Sequence, residues 1–383
     1  MELTRKQEEG LKLAVKRYKD GERYTIIAGY AGTGKSTLIK FIVSALDLNP
    51  DFDVCYIAYT GKAALVLKDK GCPNAMTAHR LLYDSFPRND GTFYHKIRRP
   101  IPAYKLIVVD EVSMLPKEMW DLLLSHNIHV IALGDPAQLP PVASDNNVLQ
   151  TPHVFLDEIM RQEAESEIIR LTMDIRAGKR LLPFKGSQVQ VIDKHQVIDG
   201  MFTWADQVIV GKNTTRRNYN QRMRKLIHDV DDPAPIEGDR VICLRNYWEN
   251  ANGYGDVMVN GSIGTIHNIQ YSHHCPFYDP AMKVDFMPDG YDEDKAMFPN
   301  LLADYKLLNE GSPTITAENW RKIPKLLHPV ELDYGYVITC HKSQGSEYPK
   351  VLVFEEYLNP AEHQRWLYTA ATRASEKLVI VRA

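Results

Sequence analysis

The chain is short of cysteine, of long apolar runs and of charge imbalance, and each shortage closes off a class of protein. Its five cysteines, Cys55, Cys72, Cys243, Cys275 and Cys340, are scattered, odd in number and free of any CxxC pair. Reduced, buried thiols are therefore expected rather than a disulfide framework or a zinc ribbon. His273-His274-Cys275 lacks a second ligand pair, and no carboxylate or thiol stands at metal-binding spacing from His79 or His341, so no metal-finger chemistry is expected there. No apolar stretch approaches the roughly 20 residues that cross a bilayer, and MELTRKQEEG at the N-terminus carries no apolar signal core. The expectation is a cytoplasmic protein without a membrane partner. A net charge of -3 points by itself to no polyanionic partner, although a basic channel fits inside an acidic protein. Internal repeats and low-complexity tracts are missing too.

What is present suits a folded enzyme. A hydrophobic share of 44% and a charged share of 25% are ordinary for a globular protein, and 383 residues exceed what one core holds, so two or three compact units are expected. The apolar run YTIIA (24–28) enters a Gly-rich loop and then the helical pattern STLIKFIVSAL; DVCYIAY precedes GKAALVLKDK, KLIVVD precedes KEMWDLLL, and HVIALGD follows. Continuous apolar strands alternating with helices imply a parallel sheet covered on both faces. Between His79 and Tyr104, aromatic and basic segments flank the turn signal Asn89-Asp90-Gly91, which predicts a β-hairpin inserted in the first domain. From Gln207 onward QVIVGKN, GDRVICLRN and VMVNGSIGTIHNI read as a second set of strands, the last resembling a small antiparallel barrel. Residues 271–328, rich in Pro, Asp, Tyr and Gly, read as an irregular insertion before YGYVITC and KVLVFEE restore the buried-strand texture.

The chemistry centres on Gly29-Tyr30-Ala31-Gly32-Thr33-Gly34-Lys35-Ser36, a GxxxxGK[ST] match that follows a strand and opens a helix. Gly29, Gly32, Thr33 and Gly34 turn backbone N–H groups inward on phosphate oxygens. Lys35 reaches the β and γ phosphates, and Ser36, with Thr37 beside it, offers oxygen to Mg²⁺. ATP and Mg²⁺ are thus the expected cofactors. LIVVDEVSM ends a strand on Asp110, expected to hold hydrated Mg²⁺, and Glu111, expected to orient and deprotonate the attacking water. Alone, such an acidic pair commonly caps a helix; behind a phosphate loop it completes a site. In GDPAQLPPV (134–142) Gln138 is a candidate sensor of the γ phosphate, while Asp135 reads equally as part of that sensor or as an ordinary turn residue.

This set of motifs resembles superfamily 1 helicases, in the branch containing RecD and the phage Dda helicase, over most of the chain. LTRKQ resembles the adenine-reading segment, which implies Gln7 at the base edge. AYTGKAA (58–64) resembles motif Ia, TAHRLL (77–82) the TxH motif, and VDEVSM and GDPAQLPPV motifs II and III. EIMRQ resembles motif IV and implies Arg161 at the γ phosphate. TCHKSQGSE (339–347) resembles motif V, with Glu347 among the nucleotide contacts, and LYTAATRA (367–374) resembles motif VI, with Arg373 as a second arginine finger. Such fingers contribute about 10³ to 10⁵ in rate in related NTPases.

The resemblance implies an α/β chain of two RecA-like P-loop NTPase domains with ATP in the cleft between them. Residues 1–150 would form domain 1A with an inserted hairpin, the pin, at about 83–99; residues 151–235 and 329–383 would form domain 2A; and residues 236–328 would form an SH3-like β-barrel, 2B, with an irregular extension. The implied activity is ATP-dependent DNA unwinding with 5′-to-3′ translocation on single-stranded DNA. An RNA-directed or protein-displacing translocase is the alternative. A nucleotide-gated binding module is a third reading, against which the full set of Glu111, Gln138, Arg161 and Arg373 argues. Contacts to the DNA backbone are expected from Thr60, Lys62, Thr77, His79, Thr339, His341, Lys342 and Ser343, donors suited to sequence-tolerant binding. Phe86, Phe93 and Tyr94 stand with Arg98 and Arg99 in the hairpin; Phe93 either stacks at the fork junction or is buried in a small local core. The expected partners are single-stranded and forked DNA and, beyond them, single-strand-binding or replication proteins, with the chain acting as a monomer. Its economy suits, by analogy, phage or mobile-element replication.

Overall fold

In the computed structural model, which describes residues 3–87, 93–139, 148–160, 165–254, 256–272, 281–291, 294–315, 328–357 and 360–383, the continuous apolar runs form buried strands. Val54–Ala58, Leu106–Val109 and His129–Gly134 are buried at every position, and Tyr24–Gly29 at all but its first. These strands make one all-parallel sheet in the order Ala75–Thr77, Val54–Ala58, Leu106–Val109, His129–Gly134, Tyr24–Gly29 and Val154–Leu156. All carboxyl ends of such a sheet face one way, so the loops that follow residues 29, 58, 77, 109, 134 and 156 gather at one edge, where open α/β sheets bind ligands. The sheet runs on to Leu156, past the expected domain boundary at residue 150.

The crossover helix Lys35–Ala45 lays Leu38, Ile39, Ile42 and Val43 against Ile27, Leu133 and Leu156 of the sheet. Each such side chain contributes about 1.5–3 kcal/mol on burial, which anchors the phosphate loop at its helical end. Helix Arg5–Lys19 begins with a capping box: Thr4 Oγ1 accepts from Gln7 N at 3.3 Å, and Gln7 Oε1 accepts from Thr4 N at 2.9 Å.

A second sheet places Gln207–Val210, Tyr348–Phe354, Ala374–Val381 and Val189–Ile192 side by side in that order, all parallel, with Phe184–Lys185 antiparallel at its edge. Helices Glu167–Arg176 and Pro360–Ala371 touch one another over this lobe. Both parallel lobes belong to one compact unit, made of Met1–Leu82, Arg99–Lys212 and Thr339–Ala383. They are the two RecA-like lobes.

The other unit comprises Tyr83–Arg98 and Asn213–Ile338. Its main element is a five-stranded antiparallel sheet in the order Phe298–Ala303, Ala281–Pro288, Ile263–Ser272, Arg240–Cys243 and Leu332–Tyr334. The expectation of an irregular extension over 271–328 is corrected here for the described residues. Met282, Val284 and Phe286 alternate inward along Ala281–Pro288 while Lys283 faces out, the period of two that a half-buried strand requires. Asp304 then caps helix Tyr305–Glu310 by accepting from Leu307 N at 3.1 Å.

The expected hairpin is present, Tyr83–Pro87 pairing with Phe93–Ile97 in the register Tyr83↔Ile97 to Pro87↔Phe93. Its turn at 89–91 lies outside the described residues. It touches strand Tyr247–Ala251 and groups with the second unit. Phe86 and Tyr94 stack at 5.2 Å between ring centroids, and both are substantially exposed. Among the described residues no cluster of three or more His, Cys, Asp and Glu side chains is arranged to hold a metal ion, and no helix is long and apolar enough to cross a membrane. Among the described residues Cys55, Cys72, Cys243 and Cys340 form no disulfide, while His273, His274 and Cys275 lie outside the described residues.

Candidate nucleotide and nucleic-acid sites

The phosphate loop leaves strand Tyr24–Gly29 and enters helix Lys35–Ala45 through Gly34, which takes φ of 74°. Gly34 is required twice over. Its backbone is left-handed, and a Cβ there would fall 2.2 Å from Met160 Sδ and 2.5 Å from Gln7 Nε2. Thr33 is fully buried, its hydroxyl donating to Tyr30 O at 2.8 Å. Lys35 Nζ donates to Gly29 O at 2.7 Å and Tyr30 O at 3.1 Å, so the ammonium lies along its own loop, inside the ring of atoms that phosphate oxygens would share. A cleft of about 550 Å³ opens over the loop, lined by Gly32, Gly34, Lys35, Ser36 and Thr37, by Asp110, Glu111 and Gln138, and from the second lobe by Glu347 and Arg373.

Gln7 is buried against the back of the loop. Its Nε2 donates to Thr33 O at 3.0 Å while its Oε1 closes the helix cap, so both ends of the amide are engaged.

Asp110 follows strand Leu106–Val109 and accepts from Glu111 N at 3.0 Å. Burial, with Glu111 adding to it, pushes its carboxyl up to about 6 against the opposing pull of Lys35. A desolvated carboxylate with another beside it favours a cation. Ser36 and Asp110 together offer two hard oxygens on the cleft wall, which fits Mg²⁺, an ion that keeps most of its shell for water and phosphate. Glu111 has φ of 48°, an uncommon backbone for a residue with a Cβ and one found at functional turns. Gln138 Nε2 lies 3.4 Å from Glu111 Oε1, joining the sensor candidate to the base candidate.

Arg373 ends the run that begins in helix Pro360–Ala371 and is buried, its Nε donating to Thr369 O at 3.0 Å and Nη1 to Ser346 O at 3.0 Å. Glu347 Oε2 pairs with Lys70 Nζ at 2.7 Å, an ion pair that ties the first lobe to the second across the cleft wall. Arg161 lies outside the described residues.

Of the candidate DNA contacts, Thr60 caps helix Gly61–Asp69 by accepting from Ala63 N at 3.2 Å, and Thr77 accepts from Arg80 N at 3.1 Å. Thr60, Thr77 and His79 are buried. Ser343 is wholly inside, its hydroxyl donating to Cys340 O at 2.8 Å, whereas Thr339, His341 and Lys342 are partly exposed on the same segment. Burial lowers the pKa of His341, keeping its ring neutral. The side chains of Lys62 and Phe93 lie outside the described residues.

Sequence reasoning did not single out Lys70, Gln344, Tyr368 or Thr369. For Tyr368 and Thr369 the available signal was their place in LYTAATRA, within one and a half helical turns of Arg373. Gln344 had the same kind of signal within TCHKSQGSE, whereas Lys70 gave none, since its partner Glu347 is remote in sequence.

A family model described as an AAA domain matches residues 2–201, and one described as a UvrD-like helicase C-terminal domain matches residues 334–381. The ATP-dependent RecD2 DNA helicase of Deinococcus radiodurans is 28% identical over 386 residues, covering 93% of this chain and 46% of that protein. The ATP-dependent DNA helicase dda of Enterobacteria phage T4 is 28% identical over 192 residues, covering 46% of this chain and 43% of the phage protein. The chain thus matches less than half the length of either helicase. The crystal structure of the Pif1 helicase from Bacteroides in complex with ADP-AlF3 and ssDNA matches with a TM-score of 0.50 at 16% identity, covering 99% of this chain and 92% of that one; at that identity the likeness speaks for the fold. The AAA match alone takes in 200 of 383 residues, and with the UvrD-like lobe behind it the chain belongs to the superfamily 1 helicases, in their RecD- and Dda-like branch.

Proposed function

We propose that the chain is an ATP-dependent DNA helicase that translocates on single-stranded DNA and opens duplexes. The observation that carries this reading is the convergence on one cleft of Lys35, Asp110, Glu111 and Gln138 from the first RecA-like lobe and Arg373 from the second. A nucleotide held there touches both lobes, so its hydrolysis changes the gap between them.

Lys35 exchanges the carbonyls of Gly29 and Tyr30 for β and γ phosphate oxygens. Ser36 and Asp110 would hold Mg²⁺, which would supply positive charge against the phosphates when bound. Glu111 accepts the proton of the attacking water, and Gln138, within 3.4 Å of it, orients that water against the γ phosphate. Arg373 and Arg161 stabilise charge on the transferring phosphoryl oxygens. Gln7 reads the base edge after giving up one of its present bonds, and Glu347 turns from Lys70 to the nucleotide.

On the nucleic-acid side Thr60, Lys62, Thr77, His79, Thr339, His341, Lys342 and Ser343 supply backbone contacts, with the buried members of that set reached by local rearrangement. The hairpin Tyr83–Arg98 acts as the strand-separating pin with Phe93 at the junction, and the antiparallel sheet of the second unit acts as an SH3-like fold over the strand. Translocation runs 5′ to 3′, the chain works as a monomer, and single-strand-binding or replication proteins are its partners.

Forked DNAs with one defined tail test this reading, with ATP turnover followed in parallel. A 5′ tail is expected to support strand separation. Preferential opening of a fork with only a 3′ tail overturns the polarity, and turnover indifferent to DNA overturns the motor.

A further inference from the structure

Tyr368 is one of the largest fully buried side chains of the protein, yet its hydroxyl makes two polar contacts into the opposite lobe. It accepts a hydrogen bond from Ala31 N, at the tip of the phosphate loop, at 2.9 Å, and it donates to Asp135 Oδ2 at 2.7 Å. The other oxygen of Asp135 accepts from Ala137 N at 2.9 Å, closing the turn that presents Gln138. The next residue of the helix, Thr369, accepts from Leu139 N at 2.8 Å, and the Gln344 amide donates to Leu139 O. Leu139, the residue just after Gln138, is therefore gripped at both its N–H and its C=O by the second lobe.

Arg373 is built onto the same stretch of chain. Its Nε donates to the carbonyl of Thr369, the residue that grips Leu139. Any displacement of Tyr368 and Thr369 relative to the first lobe thus carries the guanidinium with it. A phenylalanine would fill the same space without desolvating a hydroxyl, and a buried carboxylate such as Asp135 is costly unless its oxygens are satisfied. A polar cluster at a junction of two lobes, at this cost, specifies one relative arrangement rather than adding bulk stability.

We infer that Tyr368 is a positioning residue for ATP hydrolysis: its hydroxyl, shared between the Ala31 amide and Asp135, keeps Arg373 in register with the phosphate loop and with Gln138. This rests on the reading of Arg373 as the arginine that meets the γ phosphate. When the hydroxyl is lost, the ring still fills its site and Thr369 still holds Leu139, but the loop tip at Ala31 and the Asp135 carboxylate are no longer tied to the helix that leads to Arg373. A misplacement of about 1 Å at a reacting centre costs on the order of 10²-fold in rate.

The test is steady-state ATP turnover in saturating single-stranded DNA for Tyr368→Phe, Arg373→Ala and the double variant, with melting temperatures as a control. Tyr368→Phe is expected to lower kcat by roughly 10- to 100-fold while leaving the KM for ATP within about threefold, since the loop itself is intact. In the Arg373→Ala background Tyr368→Phe is expected to add no further loss, because residues acting through one another are non-additive. Asp135→Asn approaches the same hydroxyl from the other side and is expected to reproduce the kcat loss; it carries the test alone if Tyr368→Phe does not fold. Unchanged kcat in Tyr368→Phe, equal loss in kcat and affinity with a large drop in melting temperature, or multiplicative losses in the double variant each overturn the inference. Full turnover in Arg373→Ala overturns the arginine-finger reading itself, a result separable from all of these.

Discussion

Replacing Gly34 by alanine separates two demands that the phosphate loop places on one residue. The backbone there is left-handed, with φ of 74°, and a Cβ would meet Met160 Sδ at 2.2 Å and Gln7 Nε2 at 2.5 Å. Gly21 is the natural control, because it has the same φ of 74° with nothing within 4 Å of the added carbon. Left-handed backbone with a Cβ costs roughly 1–2 kcal/mol, and both variants carry that penalty. Only Gly34→Ala adds overpacking. The flexible Met160 end can swing aside, whereas the Gln7 amide is tied to Thr33 O and to Thr4 N, so the extra cost falls in the lower part of the usual range, about 1–2 kcal/mol. At about 2–4 °C per kcal/mol for a unit of this size, Gly34→Ala should melt about 2–8 °C below Gly21→Ala. The assay is thermal unfolding without nucleotide, repeated with saturating ADP. The nucleotide-induced rise is expected to persist in Gly21→Ala and to vanish in Gly34→Ala, whose displaced loop no longer closes on phosphate. Equal melting of the two variants would refute the packing argument.

Lys35→Ala should abolish ATP turnover while largely sparing single-strand binding measured by fluorescence anisotropy; loss of both in a folded protein contradicts the separation of the two sites. His129 donates from Nδ1 to Glu22 O at 2.7 Å and accepts at Nε2 from Thr25 Oγ1 at 3.1 Å, and burial lowers its pKa. A depressed folded pKa means stability present above the ordinary histidine value of about 6.5 and lost as pH falls through the folded one. His129→Gln should therefore flatten the decline in melting temperature between pH 7.5 and pH 5, and parallel curves for the two proteins would tell against it. Phe93→Ala should slow unwinding of a fork more than translocation on single strands, and equal loss in both assays removes Phe93 from the junction.

Local order made the first lobe legible. A strand, a glycine-rich loop and a helix occur within about twenty residues, so Gly29 to Ser36 could be read with its context, and Asp110, Glu111 and Gln138 each close an apolar run that became a buried strand. The parallel sheet then brings those three to one edge without any special contact having to be guessed. What was not legible depends on pairs distant in sequence. Tyr368 meets Ala31 across 337 positions and Asp135 across 233, and no spacing rule links them. Gln7 shows a different gap, because the pattern that marks it as a base reader is also the third residue of a helix cap, and the chain uses it there and against Thr33. In Ala281–Pro288 the alternation of Met282, Val284 and Phe286 was present all along, obscured by the Pro, Asp and Gly of neighbouring turns.

Whether the cleft turns over ATP in response to DNA is decided by ATP hydrolysis with and without single-stranded DNA in the wild-type chain and in Glu111→Gln. The expected outcome is that DNA raises kcat in the wild type and that Glu111→Gln still binds nucleotide but turns over more slowly by about 10²-fold or more, the scale of a lost general base. Turnover equal in the presence and absence of DNA, or near-normal turnover in Glu111→Gln, would contradict it.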